Sequence, residues 1–360
     1  MTALVATFLS YRLGGADGVS VEASKWEWAL RELGFTTRRV AGELGGLRAD
    51  DTWLGFLAID PQSGADIEPD ALAAALAGSD LVVVENICSL PLNPGAAKAA
   101  AEVLARRRGR VLFHHHDLPW ERPYLEPVDG IPPDIPDAVH VAISDHARRA
   151  LAERGFDAHT VRNSFDFSPR HGDRARARRS IAARDDEVVV LQPTRAIPRK
   201  DVGRGIAFAE ALDELLPGTT VRYWLTGPAE DGFTPELQRL VTTARVPVEH
   251  GRTTYAGDAY AASDVVVFPS SWEGFGNPVV EATIARRPLA VARYPALDEL
   301  IAFGLRLFSV DDPAAVTAWL AAPDEAMLDA NIAALRPELD LMSLPERLDA
   351  LFAAVGWERW

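Results

Sequence analysis

The chain has 360 residues, 48% of them hydrophobic and 25% charged, a composition typical of a soluble globular protein with two domains. Its formal net charge of −15 argues against the broad basic surface that nucleic-acid binding requires. Cys88 is the only cysteine, which excludes an internal disulfide and fits a reducing compartment. We interpret Cys88 as a small buried hydrophobe.

Neither a targeting segment nor a membrane span is predicted. No apolar run reaches the ~18 residues of a transmembrane helix. The segment from Met1 to Leu9 has no basic leader or cleavage site and predicts a first strand. Two arginine-rich clusters, residues 106–110 and 174–179, are interpreted as solvated helix ends and linker. We therefore expect a cytoplasmic protein.

Short β-branched runs alternate with amphipathic stretches along most of the chain. In the first half, strands are predicted over 3–9, 36–40, 81–85, 111–115 and 139–144, and helices over 19–33, 70–76, 95–108 and 145–154. In the second half, strands are predicted over 187–192, 221–226, 246–250, 265–268 and 289–292, and helices over 202–216, 235–244 and 278–286. This alternation predicts two doubly wound, Rossmann-like α/β domains with parallel sheets.

The boundary between the predicted domains falls where this pattern lapses. Residues 163–173 are rich in proline, glycine, histidine and charge, which is typical of an interdomain hinge. We therefore assign residues 1–168 to the first domain and residues 169–343 to the second. A last helical segment is predicted over residues 344–360 from its apolar spacing.

The segment after the predicted strand 265–268 is the most informative about function. Its loop and the start of the next helix contain Glu273, Phe275, Gly276, Asn277, Pro278 and Glu281. Pro278 fits the first helical position, and Asn277 is the expected N-cap. The free N–H groups and positive dipole end of such a helix suit an anion such as a diphosphate. Glu273 and Glu281 would then flank one anion site.

This segment resembles the retaining glycosyltransferases of family 4, which have the GT-B fold and share a Glu-x7-Glu motif. In that family the first glutamate contacts the transferred sugar and the second binds the ribose hydroxyls of the nucleotide. The resemblance implies these roles for Glu273 and Glu281, with donor contacts from the loop residues Phe275, Gly276, Asn277 and Pro278. It also implies two Rossmann-like domains that face a cleft, with the C-terminal helix returning to the first domain. The resemblance is strongest over residues 187–292.

A basic pair follows the predicted strand 187–192. Arg195 and Lys200 lie in a strand-to-helix loop, at the sheet edge where such folds bind ligands. The family has a basic pair with this gap, bound to the donor diphosphate. Fixed cations stabilise the negative charge that accumulates on a departing diphosphate. Arg199 is a competing candidate for part of this role.

Two glycines follow the first predicted strand. The family has a Gly-Gly loop at this point, and Gly14 and Gly15 would let the backbone approach a phosphate. A plain tight turn explains the pair equally well. Asp17 is expected either to cap the next helix or to contact an acceptor.

A run of three histidines ends the predicted strand 111–115. Strand alternation predicts that His114 and His116 face one way and His115 the other. The family places a histidine here near the transferred sugar. His116 matches best, with Asp117 orienting its ring, and His115 stays open as the alternative. The resemblance implies a transferase that needs neither a metal nor a resident cofactor.

One departure from the family lies at residues 293–297. The family usually has a glycine-rich turn there, before a glutamate that corresponds to Glu299. The donor sugar or the rim of the acceptor site is therefore expected to differ from that of commoner members.

These observations predict a retaining, metal-independent hexosyltransferase that uses a nucleoside-diphosphate sugar. The catalytic candidates are Glu273, His116, Arg195 and Lys200, and the donor-binding candidates add Gly15, Phe275, Gly276, Asn277, Pro278 and Glu281. One alternative is a nucleotide-sugar-binding protein without transferase activity, and another is a different GT-B enzyme, such as a nucleotide-sugar epimerase or a phosphorylase. The sequence does not define the nucleotide base, the acceptor or the oligomeric state. Trp120, Arg122 and Tyr124 are candidates for the acceptor loops.

Overall fold

The structure is a computed structural model that describes residues 4–61, 66–121, 128–251 and 255–357. The chain divides into two compact units. The first unit comprises Met1–Ser164 together with Leu341–Trp360, and the second comprises Phe165–Asp340. The sequence placed the domain boundary after residue 168, a few residues later.

The first unit is built on a seven-stranded sheet. Its strands are Leu4–Leu13 (β1), Phe35–Leu44 (β2), Thr52–Trp53 (β3), Leu81–Glu85 (β4), Arg110–His115 (β5), Val139–Ala142 (β6) and Ala158–Thr160 (β7). They pair in parallel in the order β3-β2-β1-β4-β5-β6-β7. The strand order reverses between β1 and β4, so the loops that leave these strands diverge to opposite faces. Such a reversal is where open parallel sheets hold their ligands.

Helices cover both faces of this sheet. They are Gly18–Glu32 (α1), Pro69–Leu76 (α2), Pro94–Ala105 (α3) and Asp145–Ala152 (α4). In α1, Trp26 and Leu30 are four residues apart and fully buried, so they form one apolar stripe against the sheet. Strand β4 is buried at every position, as expected for a parallel strand covered on both faces. Cys88 is buried among apolar residues, which confirms its interpretation as a small hydrophobe.

The second unit has a six-stranded parallel sheet. Its strands are Val188–Gln192 (β8), Val221–Leu225 (β9), Val248–His250 (β10), Val265–Phe268 (β11), Leu289–Val291 (β12) and Phe308–Ser309 (β13). Their order is β10-β9-β8-β11-β12-β13, so the reversal lies between β8 and β11. The loops that leave these two strands carry the basic pair and the glutamate segment identified in the sequence.

Eight helices of the described residues belong to this unit. They are Arg174–Ser180 (α5), Val202–Leu215 (α6), Thr234–Thr243 (α7), Ala256–Ala262 (α8), Asn277–Ile284 (α9), Leu297–Ala302 (α10), Pro313–Ala321 (α11) and Glu325–Leu339 (α12). The interpretation of the second arginine cluster as linker is wrong, because these residues form α5. Arg178 is buried, and Arg174 and Arg178 both donate to Asp264, at 2.6 and 3.1 Å. The cluster therefore ties α5 to the start of β11.

The last helix, Leu344–Ala354 (α13), packs against α1 of the first unit. Its residues Leu344 and Leu348 are fully buried in the same apolar cluster as Trp26 and Leu30. The apolar spacing read from the sequence therefore marks the face that this helix buries.

The doubly wound fold class predicted from the sequence is confirmed, with shifted ends for the predicted strands and helices. The short strands β3, β7 and β13 and the helices α5, α8, α10, α11 and α12 were not predicted. These elements are short or carry little apolar periodicity, and their packing against the sheets stabilises them. Among the described residues, no helix is long and apolar enough to span a bilayer.

Candidate active site

In the second unit, a buried glutamine fixes the turn that carries the basic pair. Gln192 ends β8, and its side-chain amide donates to the carbonyl of Lys200 at 2.9 Å. The Tyr223 hydroxyl donates to the amide oxygen of Gln192 at 2.6 Å. Asp201 follows with φ of 45° and caps α6 by accepting from the Arg204 N–H at 3.1 Å. The hydrogen bond from Gln192 to its backbone carbonyl thus holds Lys200 at the carboxyl edge of the sheet.

Three side chains from two loops form what we name the Glu273 cluster: Glu273, Lys200 and Arg199. One carboxylate oxygen of Glu273 accepts from the Lys200 ammonium, and the other accepts from Arg199 at 2.9 Å. Both Lys200 and Glu273 are buried. Arg199 also donates to the carbonyl of Trp272 at 3.0 Å, so the two loops are joined at both side chain and backbone. This cluster carries a formal charge of +1.

Burial and mutual attraction oppose each other in the Glu273 cluster. Burial lowers the pKa of Lys200 to about 8, although Glu273 pulls in the opposite direction. Burial alone would raise the pKa of Glu273, but Lys200 and Arg199 hold that pKa below its usual value. At neutral pH Lys200 and Glu273 are therefore both ionised. A buried cation such as Lys200 can bind an anion strongly, because little water competes for it.

Arg195 does not join Lys200 on Glu273. Its guanidinium pairs with Glu230 at 2.7 Å, and both side chains are about 40% exposed. An exposed pair of this kind contributes little stability, so Arg195 can exchange Glu230 for a ligand at small cost. The competing candidate of the sequence analysis, Arg199, occupies the position beside Lys200. Glu230 was not identified as a partner, because it lies beyond β9 in the chain.

The start of α9 differs by one residue from the sequence-based expectation. Asn277 is the first helical residue, and Gly276 is the cap residue, with φ of 103° and ψ of 52°. A side chain on Gly276 would have its Cβ 2.0 Å from the Tyr294 hydroxyl oxygen. The expectation that Asn277 is the N-cap is therefore wrong, because this turn needs a left-handed residue that only glycine adopts without strain. Pro278 is the second helical residue, one position later than expected.

The remaining donor-binding candidates lie on the same loop and helix. Phe275 is buried and stacks on Phe165, with ring centroids 6.3 Å apart. Glu281 lies in the second turn of α9 and accepts from the buried Tyr260 hydroxyl at 2.6 Å. Tyr260 holds the Glu281 carboxylate in one orientation, a contact that the sequence analysis did not identify.

In the first unit, Gly14 and Gly15 follow β1. Gly14 has φ of 77°, and a Cβ there would lie 2.1 Å from the carbonyl oxygen of Gly45, so the neighbouring strand end requires this glycine. Gly15 has more space, since its Cβ would first meet an Asp17 carboxylate oxygen at 3.0 Å. Asp17 caps α1 by accepting from the Ser20 N–H at 3.1 Å, which confirms the first of its two expected roles.

The three histidines at the end of β5 point as strand alternation predicted. His114 and His116 both approach the carboxylate of Glu85, whereas His115 faces the other side of the sheet. The His115 ring contacts the Ser89 hydroxyl at 2.6 Å and the His140 ring at 2.9 Å. His115 is completely buried, and burial, followed by His140, holds its pKa well below the usual value.

Glu85, His114 and His116 form a second buried group, which we name the Glu85 cluster. One Glu85 oxygen, Oε2, lies 2.6 Å from His116 Nε2 and 2.9 Å from His114 Nδ1. The sequence analysis expected Asp117 to orient the His116 ring, and the structure adds Glu85 as a partner that contacts this ring directly. Glu85 was missed because it lies on β4, 31 residues earlier in the chain. A glutamate ending the apolar strand Leu81–Glu85 was the available signal.

The ligand atoms of the Glu85 cluster lie within 4.8 Å of one another, close enough for one metal ion to reach all three. Its short contacts, however, are hydrogen-bond distances to a single oxygen. Ligands arranged tetrahedrally around zinc would be roughly 3.3 Å apart. We therefore describe the Glu85 cluster as an acid–base group, in which His116 is hydrogen-bonded to Glu85 and His114 is in close contact with it.

Of the acceptor-loop candidates, Trp120 is partly buried, and the Arg154 guanidinium stacks on its ring at 3.9 Å from the centroid. Arg122 and Tyr124 lie outside the described residues. The packing of Trp120 against Arg154 is sufficient to explain its position.

The fold and the candidate site of the second unit indicate the class of protein to which this chain is similar. Residues 204–335, a range that includes Glu273 and Glu281, match the family model described as Glycosyl transferases group 1. Solved structures with the same fold include HepE from Anabaena in complex with UDP-glucose, at a TM-score of 0.75 and 15% identity over 98% of this chain and 100% of that one. Sucrose-phosphate synthase from Thermosynechococcus elongatus gives a TM-score of 0.72 at 15% identity, over 98% and 99% of the two chains. The fold is that of the GT-B glycosyltransferases, and together these matches indicate a glycosyltransferase of that type.

Two relatives are similar over most of their length. Mannosylglucosylglycerate synthase of Thermotoga maritima is 28% identical, over 84% of this chain and 84% of its own. The protein of the same name from Petrotoga mobilis is 25% identical, over 81% of this chain and 83% of its own.

Proposed function

We propose that the protein is a retaining, metal-independent glycosyltransferase that moves a hexosyl group from a nucleoside-diphosphate sugar to a hydroxyl of an acceptor. The Glu273 cluster is the observation that carries this proposal. It combines a buried lysine, an arginine, a carboxylate and the start of α9 at the strand reversal of a Rossmann-like sheet. A sugar diphosphate offers a matching set of groups, with anionic phosphates beside neutral hydroxyls.

Each side chain has a distinct role in this proposal. Lys200, with Arg195 released from Glu230, neutralises the diphosphate as the glycosidic bond breaks. The N–H groups at the start of α9 bind a phosphate oxygen. Glu281 accepts from the ribose hydroxyls, while Glu273 positions the sugar. Arg199 holds the Glu273 carboxylate.

His116 and Gly15 are the candidate residues of the first unit. His116 donates a hydrogen bond to the transferred sugar. Gly15 lies at the end of β1, where its small size lets the backbone approach a phosphate.

Configuration is retained because the acceptor attacks the face of the sugar from which the diphosphate departs. The bond from the anomeric carbon to the diphosphate oxygen breaks, and its electron pair leaves with the phosphate. The acceptor oxygen bonds to the same face of the resulting oxocarbenium-like centre, and the departing phosphate takes the acceptor proton. Glu273 is a poor nucleophile for a covalent route, because Lys200 and Arg199 engage both of its oxygens.

The names of the relatives indicate which substrates to test first. Both are called mannosylglucosylglycerate synthases, a name that describes a mannosyl group joined to a glucosylglycerate. HepE was solved with UDP-glucose. We propose a panel of UDP-, GDP- and ADP-linked hexoses as donors, with glucosylglycerate as the first acceptor. The products of each reaction are then analysed.

Substitution of Glu281 or Lys200 tests the assignment directly. We expect Glu281→Ala and Lys200→Ala to lower kcat/KM by about 100-fold or more, since each removes a charged contact to the donor. Lys98→Ala, an exposed lysine on α3, is the matched control and should retain wild-type activity. Circular dichroism checks that each variant is folded.

Unimpaired transfer by both folded variants would contradict the proposed site. Nucleotide binding without any product would support the binding-protein alternative. Isomerised nucleotide sugar, or cleavage that requires phosphate, would identify an epimerase or a phosphorylase.

A further inference from the structure

Glu85 is a completely buried carboxylate at the end of β4. Its Oε2 atom lies between two imidazole rings of the neighbouring strand, 2.6 Å from His116 and 2.9 Å from His114. The parallel register pairs Glu85 with His114, so both rings on this face of β5 meet the one carboxylate. The arrangement is a direct result of strand pairing.

A buried carboxylate needs a positive partner, because an isolated charge in a low-dielectric interior is strongly unfavourable. Among the described residues, Glu85 forms its ion pairs with His114 and His116. One protonated imidazole therefore balances the cluster. Two adjacent imidazolium rings, with centroids 4.3 Å apart, would repel each other.

His116 is the ring that better carries this proton. Its contact with Glu85 is the shorter of the two, and it has slight access to solvent, whereas His114 is fully buried. The His114 ring also packs on Trp26, with centroids 4.1 Å apart. An apolar neighbour of this kind favours a neutral imidazole.

The backbone around His116 is fixed as firmly as its ring. Asn86 has φ of 63°, and its side-chain oxygen accepts from the His116 N–H at 3.2 Å and the Asp117 N–H at 3.3 Å. The strand end and the imidazole are therefore anchored by two successive residues of β4 and its loop. Left-handed asparagine is a strained conformation that such contacts can hold.

We propose that Glu85 is a positioning residue that fixes the His116 ring and keeps it protonated, so that His116 presents its remaining N–H to the substrate. This inference rests on the proposed function, in which His116 donates to the transferred sugar. A protonated donor stabilises negative charge that develops on a sugar or phosphate oxygen better than a neutral one. No role for Glu85 was expected from the sequence.

The acidic groups around His116 raise its pKa. Burial alone would lower the pKa of His116, but Glu85, Glu22 and Asp117 together hold it above its usual value. His114 faces the same carboxylate, and burial lowers its pKa. If the protonated His116 is the active form, activity is present below its pKa and is lost as pH rises through it.

Replacement of Glu85 by glutamine keeps the side-chain shape and removes the charge. We expect Glu85→Gln to lower kcat about tenfold to 100-fold at neutral pH with little change in the KM of the donor. The alkaline limit of the kcat profile should move to lower pH, so acidification should restore part of the rate. A purely structural role would not move that profile. Glu187→Gln, which removes a buried carboxylate paired with Arg222 at 2.8 Å in the second unit, is the control.

A second measurement does not depend on transfer. Histidine-labelled wild-type and Glu85→Gln protein are titrated by NMR between about pH 5 and about pH 9, with His116→Asn identifying the resonance. We expect a charged His116 through neutral pH in the wild type and a midpoint lower by at least about one pH unit in the variant. Metal analysis of the purified protein accompanies the titration.

The outcomes separate the two proposals. A neutral His116 in the wild type, a stoichiometric metal ion bound by the Glu85 cluster, or an unmoved kcat profile would overturn the role of Glu85. If no donor gives product while the titration behaves as expected, the proposed function fails and the Glu85–His116 pair stands.

Discussion

The two units each bury one carboxylate between two basic side chains at the carboxyl end of a parallel sheet. In the second unit the carboxylate is Glu273 and the bases are lysine and arginine. In the first unit the carboxylate is Glu85 and both bases are histidine. The two clusters have the same plan and differ in the strength of their bases.

That difference determines how each cluster responds to protons. Arginine keeps its charge at any working pH, and Lys200 keeps its charge below its pKa of about 8, so the Glu273 cluster is positive at neutral pH and can bind an anion. Histidine changes its charge near neutrality, so the Glu85 cluster can hold or release a proton. One buried carboxylate can therefore support either an anion site or a proton donor, depending on its neighbours.

The largest expected effect concerns stability when each carboxylate is neutralised. Glu273→Gln leaves the buried Lys200 and the partly exposed Arg199 without their counter-charge, and we expect it to lower the free energy of unfolding by about 3 kcal/mol. Glu85→Gln should lower it by only about 1–2 kcal/mol, because the histidines can lose their proton and leave neutral hydrogen bonds. Urea unfolding at neutral pH, followed by hydrogen exchange in β11 and β4, measures the two losses separately. Equal losses would remove the distinction between the clusters.

The next effect concerns the glycine beside the Glu273 cluster. In Gly276→Ala, the left-handed conformation costs about 1–2 kcal/mol and the new Cβ meets the Tyr294 hydroxyl. We expect the KM of the donor to rise about tenfold, because the start of α9 is displaced. Adding Tyr294→Phe should recover part of this loss by removing the hydroxyl oxygen.

Gly18→Ala is the matched control for that substitution. Gly18 opens α1, and a Cβ there meets nothing within 4 Å. It should leave the KM of the donor unchanged. An equal rise in both variants would mean that the conformation of Gly276 is not needed for donor binding.

The smallest expected effect is the pH dependence of nucleotide binding. The pKa of Lys200 is lowered to about 8, chiefly by burial, so its charge is present below that pH and is lost above it. Affinity for a nucleoside diphosphate should fall roughly fivefold from pH 8 to pH 9, as the ammonium is deprotonated. Isothermal titration calorimetry of wild type and Lys200→Arg gives the test. The arginine variant should show a flat profile, and a parallel fall in both proteins would assign the dependence to another group.

Local sequence pattern accounts for most of the fold and part of the candidate site. Alternating apolar periods predicted the strands that form the two parallel sheets, and the glycine and proline near residue 277 predicted the start of α9 to within one residue. The helices α5 and α8 were missed because their sequences carry little amphipathic pattern and their burial comes from contacts with each other. Such contacts have no signature within either segment.

The sequence by itself determined the doubly wound class, the glycine loop before α9 and the opposite directions of His115 and His116, since each depends on residues a few positions apart. Only the tertiary structure decided that Arg199 and not Arg195 meets Glu273, and that Glu85 meets His116. These pairs depend on strand order and register, which bring together residues distant in the chain. Burial then sets their charge, because desolvation and the paired group act on a pKa only once both surround it.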